Sequence, residues 1–308
     1  MKQKHLLALK DYSREDLEEI FALARDLKAR PADYRDALRG KTLAMVFQKP
    51  STRTRVSFEA GMFQLGGHAL FLGADAIQLN RGESVADTAR VLSRMVDGIM
   101  ARVYAHQDVL DLARHSSVPV INGLSDLLHP CQALADYLTL LERRGSFRGL
   151  RVAYVGDGNN VCHELMMGAV KLGMAFAAAS PAGYEPNQLF VKSATRDAQK
   201  VGGPVPAIGA DPLEAVEGAD VVYTDTWISM GQEEESDARR EAFAGFMVTP
   251  EMMAAAHPQA VFMHCLPAHR GEEVAAEVID GPQSVVFEEA ENRLHVQKAV
   301  LILLMSGR

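Results

Sequence analysis

Short apolar runs alternate with helix-patterned stretches along nearly the whole chain, and this alternation limits the possible folds more than any other feature. Residues 13–29 open with the capping-box-like Ser13-x-x-Asp16. Leu17, Ile20, Phe21, Ala24 and Leu27 follow at helical spacing. Runs at 42–47, 68–72, 98–103 and 118–121 read as strands. Helical segments over 51–65, from Ser84 onward, 107–115 and 130–144 separate or follow them, and 122–129 reads as a loop. The stretch Gly145-Ser146-Phe147-Arg148-Gly149 reads as a boundary, after which the pattern restarts. Strands are expected at 150–155, 174–179, 205–208, 220–224, 260–264 and 284–287. Helices are expected at 161–172, 187–200 and 290–305, with the acidic stretch 232–240 a solvated loop or helix start. Such alternation implies an α/β fold of two doubly wound domains, each a mostly parallel sheet flanked by helices. The expected domains are 1–145 and 146–288, and ligands in open sheets of this kind lie beyond the carboxyl ends of strands.

At 308 residues the chain is long for one core, which agrees with two domains. A formal net charge of -8 argues against a nucleic-acid or acidic-membrane partner. Any anion site must then be a local basic cluster. Three cysteines, Cys131, Cys162 and Cys265, cannot all pair, and none stands in a C-x-x-C. Reduced thiols and a cytoplasmic location follow as expectations. The first ten residues do not read as a signal peptide, and no apolar run approaches a membrane span.

The strand at 42–47 runs into Gln48-Lys49-Pro50-Ser51-Thr52-Arg53-Thr54-Arg55. Pro50 ends ladder pairing because it has no N–H, and Ser51 stands where a helix N-cap belongs. Free N–H groups at a helix start carry partial positive charge. Hydroxyls add donors, and arginines add bidentate ones. The pattern is a phosphate or carboxylate cradle without the glycine spacing of a nucleotide P-loop. A capped helix with solvated arginines is the plain alternative.

Four further stretches carry chemistry. Gly156-Asp157-Gly158 starts like a dinucleotide fingerprint, but Val161 holds the third glycine position. The next strand ends at Ala179-Ser180-Pro181 without an acid for a ribose hydroxyl. Asn159 and Asn160 instead offer amides at a strand end. His129-Pro130-Cys131-Gln132 opens a helix, whose dipole disfavours imidazolium and leaves a neutral donor for a carbonyl oxygen. Asp225 follows a strand and suits an ammonium, while Ser229, Met230 and nearby N–H groups suit a carboxylate. Together they make an α-amino-acid clamp. His264-Cys265-Leu266-Pro267 follows another strand. Zinc is not expected there, for want of paired ligand spacing, and a nucleophilic thiol is disfavoured because adjacent His264 faces the other way. Arg102 and Arg293, taken singly, could each be surface arginines.

In this order, Ser51-Thr52-Arg53-Thr54-Arg55, His129-Pro130-Cys131-Gln132, Asp225…Ser229-Met230-Gly231 and His264-Cys265-Leu266-Pro267 resemble the carbamoyltransferases, and the last two resemble the ornithine branch. The resemblance implies that a C-terminal helix, about 289–308, packs back on the first domain. It implies a homotrimer acting on carbamoyl phosphate and L-ornithine to give L-citrulline and phosphate, with no metal or cofactor. Ser51, Thr52, Arg53, Thr54, Arg102, His129, Gln132, Cys265, Leu266 and Arg293 would hold carbamoyl phosphate, and Gln78 would come from a neighbouring subunit. Asn160, Asp225, Ser229 and Met230 would hold ornithine. Arg102, His129 and Cys265 would act in catalysis. Cys162-His163 departs from the His-Ser that resembling enzymes often show after the double asparagine.

Overall fold

The computed structural model describes residues 3–75, 77, 82–229, 231 and 233–306. They divide into two compact units, Met1–Leu138 with Glu291–Arg308, and Thr139–Ala290.

The first unit holds β1 (Thr42–Phe47), β2 (His68–Gly73), β3 (Gly98–Arg102) and β4 (Val120–Leu124). All pairs are parallel, in the order β2-β1-β3-β4. Its helices are α1 (Arg14–Ala29), α2 (Thr52–Gln64), α3 (Val85–Leu92) and α4 (His106–His115), and α5 (Pro130–Arg144) follows β4. The Ser13/Asp16 capping box of α1 forms, and the five apolar residues at helical spacing are all buried. Central β1 is buried from Leu43 to Phe47, as a strand covered on both faces must be. Edge strand β2 is open, with Leu70 and Phe71 both exposed. β4 extends to Leu124, into a stretch expected to be loop, because Leu6 bridges Ile121 and adds backbone partners there.

The second unit holds β5 (Arg151–Val155), β6 (Ala175–Ala179), β7 (Ala207–Gly209), β8 (Val221–Thr224) and β9 (Val261–His264), in the parallel order β7-β6-β5-β8-β9. Helices α6 (Asn160–Leu172), α7 (Gln188–Val201), α8 (Pro212–Val216), α9 (Ser236–Ala242), α10 (Pro250–Ala255) and α11 (Ala276–Ile279) connect the strands. Their core joins Val155, Val222, Trp227, Phe243 and Phe262.

The strand expected at 284–287 does not form. Ser284 makes one isolated bridge to Phe262, and α12 (Val286–Met305) starts two residues later. The β-branched pair Val285-Val286 reads locally as strand, yet helix formation after one bridge satisfies more backbone groups. From Glu291 onward, α12 belongs to the first unit. It packs on α2 at Gly61, where an added Cβ would come within 3.3 Å of Lys298 Cγ.

Candidate active site

In the first unit the sheet order reverses between β1 and β3, so their carboxyl ends flank a topological switch point. The cradle leaves β1 there. Ser51 caps α2 by accepting from the Thr54 N–H at 3.2 Å, with extended backbone at φ -165°. Thr52 is exposed, Arg53 half-buried and Thr54 buried. Arg55 turns away, stacking over Phe71 and pairing with Glu59 at 3.0 Å. Register places Arg102 beside Phe47, at the mouth of the same loop, and the β3–β4 pairing shifts at Ala101/Arg102. Arg102 is 5% exposed.

His129 stands just before α5, its carbonyl accepting from Gln132 and Ala133. Burial holds its imidazole well below the usual histidine range, and Arg293, Arg102 and Arg53 add repulsion. The ring is therefore neutral, a donor rather than a charge. Arg293 on α12 donates to Gln132 Oε1 at 2.7 Å and to Thr54 Oγ1 at 3.2 Å. Gln132 in turn donates to Asp136 at 2.8 Å. Three guanidiniums, the α2 N–H groups and a neutral imidazole can neutralise a phosphate and polarise a carbonyl next to it.

In the second unit the order reverses between β5 and β8. Asn159 caps α6 by accepting from Val161 and Cys162 N–H, and its Nδ2 donates to Asp225 Oδ2 at 2.7 Å. Asn160 is the first residue of α6 and is half-buried. Asp225, just past β8, is 6% exposed. It also accepts from Thr226 N–H at 2.7 Å and from the Cys265 thiol at 2.9 Å. A buried carboxylate in contact with half-buried Cys265 can receive an ammonium, and half-buried Ser229 follows four residues on. Leu266 takes φ 56°, the left-handed region that non-glycine residues avoid. Gln78 and Met230 lie outside the described residues.

Two residues of this half, Arg239 and Glu273, went unmarked in the sequence, and the Asn159 contact to Asp225 was not assigned there. Arg239 on α9 donates to Asp157 at 2.9 Å and to the Trp227 carbonyl at 3.0 Å, and its guanidinium lies over Tyr184. It thereby anchors the segment after β8. Burial pushes the Asp157 carboxyl up to about 6, although Arg239 opposes this. Finally, Glu273 bonds the His264 ring. An arginine and a glutamate far along the chain carry no local pattern that would assign these partners.

Two groups of metal-type donors fall within 4.8 Å among the described residues: Asp225, His264 and Cys265, and His269, Glu272 and Glu273. In the first, His264 Nδ1 accepts from the Leu266 N–H and Nε2 bonds Glu273, so neither nitrogen keeps a lone pair for a metal. In the second, Glu272 pairs with Arg240 and Glu273 Oε1 takes two hydrogen bonds. Neither group reads as a metal centre. No described helix is long and apolar enough to cross a membrane.

The first inventory suits a phosphate attached to a carbonyl and the second suits an amine, as in a transferase that moves a carbonyl-centred group from phosphate to nitrogen. Comparison with known proteins narrows that class. Residues 4–142 match the carbamoyl-phosphate-binding domain of aspartate/ornithine carbamoyltransferases, and residues 148–304 match the Asp/Orn-binding domain. The ornithine carbamoyltransferase of Symbiobacterium thermophilum is 59% identical over 99% of each chain. The anabolic ornithine carbamoyltransferase of Pyrococcus furiosus is 56% identical, covering 99% of this chain and 97% of its own. A solved structure of the Pyrococcus furiosus ornithine carbamoyltransferase superposes with a TM-score of 0.95 at 56% identity, covering 99% of this chain and 98% of that one. An acetylornithine transcarbamylase complexed with acetylcitrulline superposes with a TM-score of 0.88 at 33% identity, over 98% and 99% of the chains. This chain belongs to the aspartate/ornithine carbamoyltransferase family.

Proposed function

We infer that this chain transfers the carbamoyl group of carbamoyl phosphate to the side-chain amine of L-ornithine, giving L-citrulline and phosphate in arginine biosynthesis. Full-length identity of 57–59% to ornithine carbamoyltransferases carries this reading, with an anabolic relative at 56%.

Carbamoyl phosphate is assigned to Ser51, Thr52, Arg53, Thr54, Arg102, His129, Gln132 and Arg293, with Cys265, Leu266 and a neighbouring subunit's Gln78 completing its contacts. Ornithine is assigned to Asn160, Asp225, Ser229 and Met230. The amine attacks the carbamoyl carbon, a tetrahedral oxyanion forms, and phosphate leaves. Neutral His129, Arg102 and Thr54 are the oxyanion donors, and the guanidiniums and α2 N-terminus take the charge of the departing phosphate. An amine of pKa about 10.4 costs roughly 4–5 kcal/mol to bind neutral at pH 7. The Cys265–Asp225 pair is placed to steer that proton, with the leaving phosphate as its second acceptor.

A homotrimer in the cytoplasm is part of the same reading. Val56 and Phe63 on α2, and Leu70 and Phe71 on the β2 edge it packs against, expose apolar surface suited to burial between subunits. Light scattering should give three times the 33.6 kDa chain mass. A colorimetric assay with ornithine, acetylornithine and putrescine in parallel tests the substrate. Ornithine alone should give strong turnover, and preference for either other amine would overturn the assignment.

A further inference from the structure

β9 ends at His264, whose ring is fully buried and bonded on both nitrogens. Nδ1 accepts from the Leu266 N–H at 2.8 Å, and Nε2 lies 3.1 Å from Glu273 Oε1. The first bond requires a lone pair on Nδ1, so the ring proton sits on Nε2 and is donated to the carboxylate. Glu273 is also fully buried and accepts from the His269 N–H at 2.6 Å. Burial opposes its charge, but the bonds from His264 and His269 outweigh this and hold its carboxyl below the usual range. The His264 backbone N–H is held in turn by buried Glu289 at 3.1 Å.

The chain between the two ends of the Nδ1 bond is one residue, Cys265. Leu266 keeps its left-handed φ of 56° while its N–H is tied to the ring two residues back. Cys265, bracketed by that closed turn, presents its thiol to Asp225 at 2.9 Å. We propose that His264 and Glu273 are positioning residues: Glu273 fixes the orientation and tautomer of the His264 ring, the ring clamps the Leu266 N–H, and the clamp holds Cys265 against Asp225. This rests on the assignment of Cys265 and Leu266 to the carbamoyltransferase site. It places the control of that site in two side chains that touch neither substrate.

Thiol labelling reads the clamp without any substrate. Cys131 and Cys162 are buried, whereas Cys265 is half-buried, so slow modification by a small alkylating reagent reports Cys265. His264→Leu removes both ring bonds and should speed labelling at least tenfold. It should also raise the KM for ornithine at least tenfold and leave a folded trimer by circular dichroism. His264→Asn supplies a side-chain oxygen that can accept from the N–H two residues on, as in an Asx-turn, but cannot reach Glu273. It should recover most of the labelling protection and part of the KM. Glu273→Gln keeps an acceptor for the ring proton and should stay near the unmutated protein, while Glu273→Leu should follow His264→Leu. Should His264→Leu fail to fold, the comparison of His264→Asn, Glu273→Gln and Glu273→Leu decides. Labelling rates equal to the unmutated protein in His264→Leu, or indistinguishable between Glu273→Gln and Glu273→Leu, overturn the proposal. Absence of citrulline formation by the unmutated protein would instead overturn the assigned reaction, leaving the labelling result to stand separately.

Discussion

The Arg293 guanidinium donates to the side-chain oxygen of Gln132 at 2.7 Å, across 161 residues of sequence. Its second nitrogen reaches Thr54 at 3.2 Å, so one arginine links α12, α5 and α2 within the first unit. A charge-assisted bond of this kind contributes about 1.5–3 kcal/mol, or roughly 10- to 150-fold in an equilibrium. Arg293→Gln should therefore raise the KM for carbamoyl phosphate about tenfold or more, with a smaller change in the KM for ornithine. A lowered Tm with an unchanged carbamoyl-phosphate KM would reduce Arg293 to a packing role.

Arg53 follows the Ser51 cap and is close enough to repel a proton from His129. Its charge matters most as phosphate departs. Arg53→Ala should lower kcat by roughly 100-fold, the scale of losing one transition-state donor. Ornithine affinity should shift far less. Steady-state kinetics with each substrate varied in turn distinguish this from an anchoring site, where KM would move and kcat would not.

Cys265→Ser tests the thiol at the Asp225 carboxylate. Serine keeps a donor but cannot ionise near neutral pH. The rate should fall about tenfold and the pH–rate profile should shift, as expected when a group engaged in proton transfer is replaced. An unchanged rate and profile would assign the proton to phosphate.

Asp157 should give the protein a readable pH dependence. Burial raises its carboxyl from 3.8 to about 6, so the folded state binds this proton more tightly than the unfolded chain. The contribution to stability is full below pH 4, is lost as pH rises to about 6, and is constant above. The shift corresponds to about 3 kcal/mol. Burial likewise opposes the Arg239 charge, but Asp157 and Glu235 outweigh it, so the arginine stays protonated throughout. Denaturant unfolding of the protein and of Asp157→Asn, followed by the single tryptophan, Trp227, should show their stability difference changing between pH 4 and 6 and level above. A difference independent of pH would place the carboxyl at its ordinary value.

Much of the candidate site was readable from the chain. Ser51 as a helix cap needs only the Pro50-Ser51 pair before a helical stretch. Asp225 was marked because it follows an apolar run, whereas Cys265 and Asn160 took their roles from the family resemblance of the stretches that hold them. The thiol–carboxylate contact, by contrast, joins residues 40 apart. Between neighbouring asparagines, only the family resemblance chose, and it chose Asn160 for ornithine. Helix geometry turns Asn159 to Asp225 while Asn160 enters α6. Short helices such as α8, α10 and α11 hold too few residues to show a period. Val285-Val286 misread as strand because β propensity is a weak local preference that tertiary packing overrides.

Alternation, caps and strand runs depend on neighbours within a few residues, through backbone sterics and local burial, and these were legible from the chain alone. Strand order was not. The orders β2-β1-β3-β4 and β7-β6-β5-β8-β9 place Arg102 beside Phe47 and Asp225 beside Asn159. The neutral state of His129 was expected from its helix start, but its main causes, desolvation and three distant guanidiniums, needed the folded protein. Pairing register and dielectric are properties of the packed molecule, and no stretch of sequence carries them.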